Sequence, residues 1–370
     1  MVKILTLEQR LRRGQHGGTV SGGIDAFAHD LALHKWTTGP YHGGPTDRSF
    51  VSHRPDSLWK EGLMKQRCRA VVFDEFGDAE VLRLTEREVA DPGPGQLRIA
   101  VRAAGVNPID WKIRNGSMAE VMPVRLPAIP GVDVAGVVES TGPDVTEFST
   151  GDEVFGKAAS GGYAELALAN LDAIAPKPAA IPWEIAAALP VAVTTAHHVL
   201  AQLGATPGET LLIDGAAGGV GTVAVQLARH RGLTVIGTAG PHNHDYLDGL
   251  GATPVTYGDG LADRIAAVAP QGVDAAIDAA GHGSLPVLVE LTGDPDRVIS
   301  LADASAPSLG ARFVSGEPEN MRGILAEAAR LAADGTITMP IACTYPFTDA
   351  AIAHRDSQKG HVRGKLVLTP

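Results

Sequence analysis

The residues best suited to chemistry lie at 215–221, where Gly215-Ala216-Ala217-Gly218-Gly219-Val220-Gly221 follows the apolar run Thr210–Asp214 (TLLID). A helical pattern begins at once, over residues 220–231. Glycines in such a loop allow a tight turn and let the backbone approach a pyrophosphate. The helix that follows offers unpaired N–H groups and the positive end of its dipole to the same anion. Ala217, Gly218, Gly219 and Val220 are therefore expected to cradle the phosphates of a dinucleotide; the competing reading is a purely structural strand-to-helix turn. Specificity should be set about twenty residues on, where NAD-preferring sites carry an acid for the ribose 2′-hydroxyl. The segment there is Thr238-Ala239-Gly240-Pro241-His242-Asn243, without an acid and without Arg or Lys. The missing acid leaves room for the 2′-phosphate of NADPH, with Gly240, His242 and Tyr257 as its expected surroundings. His242 would serve as a cation if it faces the phosphate, and is otherwise a solvated loop residue.

Other chemistries find less support. Cys68 and Cys343 are far apart and lack a CxxC partner, which excludes a disulfide framework and a four-cysteine zinc site. Both are read as buried free thiols, in keeping with a reducing cytoplasm. His197 and His198 are adjacent on a helical stretch and point to different faces, so they are read as packing or surface residues. The net charge of −11 argues against nucleic acid or an anionic membrane surface as partner. No apolar stretch is long enough to cross a bilayer, and the first residues lack the order of a secretory signal. A soluble cytoplasmic protein is expected.

The elements that must position the loop follow from the rhythm of the 370 residues. Residues 1–63 hold five of the 13 histidines, many glycines and no sustained apolar period, and read as a poorly ordered extension. The alternative is a docking segment using Trp36 and Trp59. Residues 65–180 carry short β-type runs at 69–73, 96–104 and 134–140, punctuated by Asp91-Pro92-Gly93-Pro94-Gly95 and Gly151-Asp152. From Thr210 strands and helices alternate: strand 234–239, helix 243–250, strand 254–257, helix 261–269, strand 273–278, helix 284–291 and strand 297–301. That alternation predicts an α/β fold with a doubly wound, Rossmann-type parallel sheet. The last 35 residues return to strand-like patterns ending in Lys365-Leu366-Val367-Leu368, expected to pair back onto the first part.

From Met64 onward the chain resembles the zinc-independent quinone oxidoreductase branch of the medium-chain dehydrogenase/reductase superfamily. The resemblance is carried by Ala103-Ala104-Gly105-Val106-Asn107-Pro108-Ile109-Asp110, Pro130-Gly131-Val132-Asp133-Val134-Ala135-Gly136, Gly151-Asp152-Glu153-Val154-Phe155-Gly156 and Gly161-Gly162-Tyr163-Ala164-Glu165. Ala187-Ala188-Leu189-Pro190, the glycine loop and Gly364-Lys365-Leu366-Val367-Leu368 complete the series in the family's order. It implies a strand-rich, GroES-like catalytic domain over 64–185 and 316–370, and a Rossmann domain over 186–315, with the active site between them. Zinc-dependent relatives present a Cys and a His where this chain has Asn107 and Val132. An amide and an isopropyl group cannot replace thiolate and imidazole, so no metal is expected.

The resemblance places Asn107, Asp110 and Lys112 near the cleft and Thr195 and Lys365 beside the nicotinamide. Asp110 and Lys112 read equally as a solvated strand-end pair. By fold and analogy Ala280, Ser300 and Leu301 should flank the ribose and nicotinamide, with Phe313 near the return crossing. The tyrosine that many relatives carry after the Arg-x-Gly stretch is missing from Arg114-Asn115-Gly116-Ser117-Met118-Ala119, which leaves solvent, Ser117 or Lys112 as proton donor; Tyr163 reads as structural. The implied activity is NADPH-dependent reduction of a small-molecule quinone or α,β-unsaturated carbonyl, by a homodimer. The alternatives are an enoyl reductase acting on a carrier-bound or polyketide-type intermediate, and a non-catalytic NADPH-binding sensor.

Overall fold

The computed structural model describes residues 66–370; the expected extension over 1–63 lies outside the described residues. Fifteen strands are found among them. β1 (Gln66–Val72) and β2 (Arg83–Val89) form a separate antiparallel pair, which packs on Ala164 and Leu166. β3 (Gln96–Val106), β4 (Asp133–Thr141), β5 (Glu153–Lys157), β6 (Leu166–Asn170) and β7 (Ile174–Pro176) build most of a seven-stranded sheet. The long β3 is its spine, antiparallel to both β4 and β6. Most of its residues are buried, and they feed two apolar cores: Leu97, Ile99, Val101, Ala104 and Val106 enter one and Ala103 the other.

β8 (Thr210–Asp214), β9 (Thr234–Thr238), β10 (Thr253–Val255), β11 (Ala275–Asp278), β12 (Val298–Ser300) and β13 (Arg312–Phe313) form a parallel sheet in the order β10-β9-β8-β11-β12-β13. Counted from β8 that order is 3-2-1-4-5-6, the doubly wound arrangement, with the strand order reversing beside β8. All five residues of β8 are buried, as a parallel strand covered on both faces requires. The chain then returns: β14 (Ile341–Pro346) and β15 (Lys365–Thr369) join the first sheet, β15 antiparallel to β3.

Helices run between these strands: α1 (Pro108–Arg114), α2 (Trp183–Ala188), α3 (Pro190–Leu203), α4 (Gly219–His230), α5 (His244–Gly249), α6 (Leu261–Val268), α7 (Leu285–Thr292), α8 (Met321–Ala333) and α9 (Ala350–Lys359). One apolar core takes residues from both sheets, Ala103, Ala135, Phe155 and Ala175 together with Leu211, Ile213, Ile277 and Ile299, and from helices α2 to α4 and α8. A second core, with Leu261, Ile265, Leu285 and Leu288, covers the other face of the parallel sheet. The two sheets are thereby welded through α2, α3 and α8.

Two expectations need correction. The C-terminal 35 residues are not all strand: they include α9, which buries only Ala350, Ala353 and His354. That narrow stripe of small and polar residues gives little apolar period to read. Cys68 is buried but Cys343 is exposed, because β14 is the outer strand of its sheet and part of its surface is uncovered.

Candidate active site at the meeting of the two sheets

Asp214 closes β8 as a buried carboxylate, and the hydroxyls of Thr238 and Ser284 both donate to it. Thr238 Oγ1 in turn accepts the Gly215 N–H at 3.1 Å, so the exit of the first strand is tied to the end of the second. The loop then closes tightly on itself: a Cβ at Gly221 would lie 2.3 Å from the Gly215 carbonyl oxygen, which only glycine avoids. Gly218 is the N-cap of α4 and offers no side-chain cap. The amides of the first turn are left for an outside acceptor, and the residues present fit a pyrophosphate. Ala217 is buried, while Gly218, Gly219 and Val220 are partly open.

The strand ends beyond the reversal are held in the same way. Asp278 Oδ1 accepts the N–H groups of Ala280 and Gly281 at 3.0 and 2.8 Å, and Ser300 Oγ donates to Asp278 Oδ2 at 2.8 Å. Ser300 Oγ also accepts from the Ala302 and Asp303 amides. Its hydroxyl is thus fully committed to the protein. Ala280 and Leu301 are partly exposed at this edge, and Phe313 is exposed on the outermost strand β13. Gly240 is buried, whereas His242 and Tyr257 are exposed at the ends of β9 and β10.

From the other sheet comes a buried polar cluster. Asn107 N-caps α1 through a capping box in which its backbone N–H donates to Asp110 Oδ2 at 2.8 Å. The Asn107 amide donates to Asp133 Oδ2 at 2.9 Å, and Lys365 Nζ donates to Asn107 Oδ1 and, at 3.3 Å, to Asp133 Oδ2. The second oxygen of Asp133 accepts the Val191 N–H in the first turn of α3 at 3.0 Å, where the helix dipole favours an anion. Lys365 is the physical link between the two halves of the site. Its side chain runs so close past the glycine loop that a Cβ at Gly219 would lie 2.9 Å from Lys365 Cδ, and the preceding Gly364 N–H donates to Ala217 O at 2.9 Å.

Asp110 lies one layer deeper. Tyr163 Oη donates to its Oδ2 at 2.9 Å, and His354 Nε2 stands 3.3 Å from the same hydroxyl. Burial, with the charge of Asp133 adding to it, pushes the Asp110 carboxyl up to about 7 against the opposing pull of the Asn107 amide, Lys365 and Tyr163. Burial, aided by the Arg114 cation, pushes His354 down to about 3. Tyr163 is held well above its ordinary value by burial first and by the Asp110 charge second. Gly131 makes room for the Tyr163 ring: with φ at +93°, a Cβ there would sit 2.3 Å from Cδ1.

The structure therefore gathers Asn107, Asp110 and Lys365 into one hydrogen-bonded cluster against the glycine loop. Lys112 stays outside it, partly exposed with its ammonium 5.7 Å from the Trp111 ring. Thr195 lies partly exposed on α3, one turn beyond the Val191 contact. Asp133 and His354 had no role in the sequence reading. Asp133 was nonetheless visible as an acid inside the apolar run Val132-Asp133-Val134-Ala135, while His354 sits on the unforeseen helix α9. Among the described residues no group of three or more His, Cys, Asp or Glu side chains is placed to hold a metal, and no helix is long and apolar enough to cross a membrane.

Comparison with known proteins agrees with this arrangement. Residues 93–179 match the family described as the alcohol dehydrogenase GroES-like domain, and residues 250–368 match the zinc-binding dehydrogenase family. The chain is 34% identical over 326 residues to a quinone oxidoreductase of Mus musculus, covering 81% of this chain and 97% of that protein. It is 36% identical over 315 residues to the pikromycin polyketide synthase component PikAII of Streptomyces venezuelae, covering 79% of this chain and 8% of that protein. A solved Escherichia coli quinone oxidoreductase complexed with NADPH superposes with a TM-score of 0.73 at 26% identity, over 82% of this chain and all of that one. The chain is an oxidoreductase of the quinone oxidoreductase branch of the medium-chain dehydrogenase/reductase superfamily.

Proposed function

We propose that the protein is a zinc-independent, NADPH-dependent reductase of a quinone or an α,β-unsaturated carbonyl compound. The observation that carries this reading is Lys365, whose side chain lies along the glycine loop at Gly219 and ends on Asn107 and Asp133. A dinucleotide cradle and a buried donor cluster are thus joined at a single point. When bound, NADPH supplies a hydride to a carbon already polarised by a conjugated carbonyl. Lys365 and Asn107 offer donors to the oxygen on which negative charge then develops, and Asp133 holds both in place. Asp110 acts through Asn107, whose N–H it fixes, and so belongs among the positioning residues. Ala217, Gly218, Gly219 and Val220 hold the pyrophosphate in this reading. Gly240, His242 and Tyr257 surround the adenosine ribose, with Thr195, Ala280, Leu301 and Phe313 along the rest of the dinucleotide. Asn107 and Val132 occupy the positions at which zinc-dependent relatives bind metal; Asn107 Oδ1 accepts from Lys365 and one Nδ2–H donates to Asp133, which leaves its second N–H for a substrate oxygen.

An edge-strand homodimer and a cytoplasmic setting complete the reading; β13 is an edge strand, with Phe313 and nearby Leu309 exposed. The similarity to a polyketide synthase component favours, as a second reading, an enoyl reductase on a carrier-bound intermediate. Both are tested by following NADPH absorbance, with NADH in parallel, against quinones, short enones and enoyl thioesters. Turnover of quinones or enones with NADPH is the expected result. Turnover of thioesters alone would replace the first reading by the second, and NADPH binding without turnover of any acceptor would leave a nucleotide sensor.

A further inference from the structure

The end of β9 carries no Arg or Lys of its own, but the fold brings one there from the far end of the sequence. Arg363, two residues before Lys365, donates from Nε to Asn243 Oδ1 at 2.6 Å and from Nη2 to the His242 carbonyl oxygen at 2.9 Å. Its guanidinium carbon lies 5.2 Å from the centre of the Tyr246 ring, and Tyr246 Oη stands 3.1 Å from Thr222 Oγ1 on α4. The cation is thus docked on the loop that closes the second parallel strand, with its stacking ring tied to the glycine-loop helix. Asn243 is buried, so its grip on Arg363 is fixed. With Asn243 Oδ1 taken by Arg363, its amide nitrogen faces His242 Nε2 at 3.2 Å as a donor. In the neutral imidazole this leaves the His242 proton on Nδ1.

A guanidinium has five N–H donors, and two are used here. Arg363 is exposed and has no carboxylate partner among the described residues. The other nearby cation, Arg264, is spent differently: it donates to the carbonyl oxygens of Thr256, Tyr257, Gly258 and Asp259 and so staples the loop after β10. In a doubly wound sheet the adenosine ribose lies at the end of the second strand. A guanidinium held there with donors to spare and no acid to neutralise it matches a phosphate ester, which an arginine fork recognises in two-pronged fashion.

We infer that Arg363 is the residue that binds the ribose 2′-phosphate and sets the preference for NADPH over NADH. The inference rests on the NADPH reading of the same site. It assigns to a C-terminal residue a role for which the second-strand loop of this chain supplies no Arg or Lys, and it makes Asn243 and Tyr246 the positioning residues for that cation.

Titration calorimetry of the full chain with NADPH, NADH, 2′,5′-ADP and ADP tests it, for wild type, Arg363→Gln and Arg363→Lys. Wild type should bind NADPH and 2′,5′-ADP more tightly than NADH and ADP. Arg363→Gln should weaken the two 2′-phosphorylated ligands roughly 10- to 100-fold, the loss expected for charge-assisted hydrogen bonds, and leave NADH and ADP within about twofold. Arg363→Lys keeps the charge without the fork and should fall between. Equal weakening of all four ligands would reduce Arg363 to a structural staple between the C-terminus and the loop, and overturn the inference. A wild-type NADPH preference that survives in Arg363→Gln would overturn it while leaving the NADPH reading intact. No wild-type preference would overturn both.

Discussion

Asp110 and His354 flank the same Tyr163 hydroxyl, and burial favours the uncharged form of each. Their effects on stability run in opposite directions with pH. Asp110 titrates near 7 in the fold against 3.8 as its ordinary value, so between those values the folded chain holds a proton that the unfolded chain releases. Its contribution is fully present below about pH 4 and is lost as pH rises toward 7. His354 titrates near 3 in the fold against 6.5 ordinarily. The unfolded chain binds the extra proton there, and stability is lost as pH falls through that window. Between about pH 4 and 6.5 the two slopes oppose one another. Asp110→Asn removes one of them, since an amide still accepts the Asn107 N–H without titrating. The stability of this variant relative to wild type should rise by up to about 1.4 kcal/mol per pH unit from pH 4 toward 7. Urea denaturation across that range measures it, and parallel curves for the two proteins would show that Asp110 does not carry the raised pKa. At this scale the sequence exposed the types Asn107, Asp110 and Lys365 but not their layering. Asp110, read as a cleft residue or a solvated one, is fully buried because Tyr163 and His354 come from segments distant in the chain.

At the scale of elements, the glycine loop works because α4 starts close against the exit of β8. Gly221→Ala should therefore fail for a local reason. Its methyl group would meet backbone, the Gly215 oxygen at 2.3 Å and the Ala216 Cα at 2.7 Å, and no flexible side chain can yield. The loop would have to open, displacing the first-turn amides from a bound phosphate. NADPH affinity by calorimetry should drop at least about tenfold, with a melting temperature lower by several degrees. Unchanged affinity would mean that the loop does not hold the dinucleotide. The alternation of strands and helices was legible here because β8 carries the apolar run Leu211-Leu212-Ile213 straight into the glycine loop, and α4 follows it at once with Val220, Val223, Ala224, Val225 and Leu227. Helix α9 was not, since its buried face is made of two alanines and a histidine.

For the molecule as a whole, the last strand is disproportionately important. β15 pairs with β3 and β14, Gly364 bonds Ala217 in the glycine loop, and Lys365 reaches Asn107 and Asp133. A chain ending after Arg363 would leave a sheet edge open, strip Asp133 of a cationic partner and loosen the glycine loop together. It should accumulate in the insoluble fraction or lack a cooperative melting transition, as fractionation and calorimetry would show. A soluble protein with a cooperative transition would mean that the two sheets are held by the α2, α3 and α8 core alone.

The sequence by itself determined what depends on neighbours along the chain. These are the strand-to-helix turn at Gly215–Gly221, the parallel α/β rhythm after Thr210, the acid missing after β9, and the amide of Asn107 and apolar Val132, neither of them a zinc-binding type. Each is a local pattern, set by periodicity, turn chemistry or residue type. Tertiary structure alone decided what depends on segments far apart in the chain. It set Asp133 between Asn107, Lys365 and the start of α3, stacked Asp110 on Tyr163 and His354, and carried Arg363 across more than a hundred residues to the end of β9. Long-range pairing of β15 with β3 makes these meetings possible, and no spacing within a single segment encodes them.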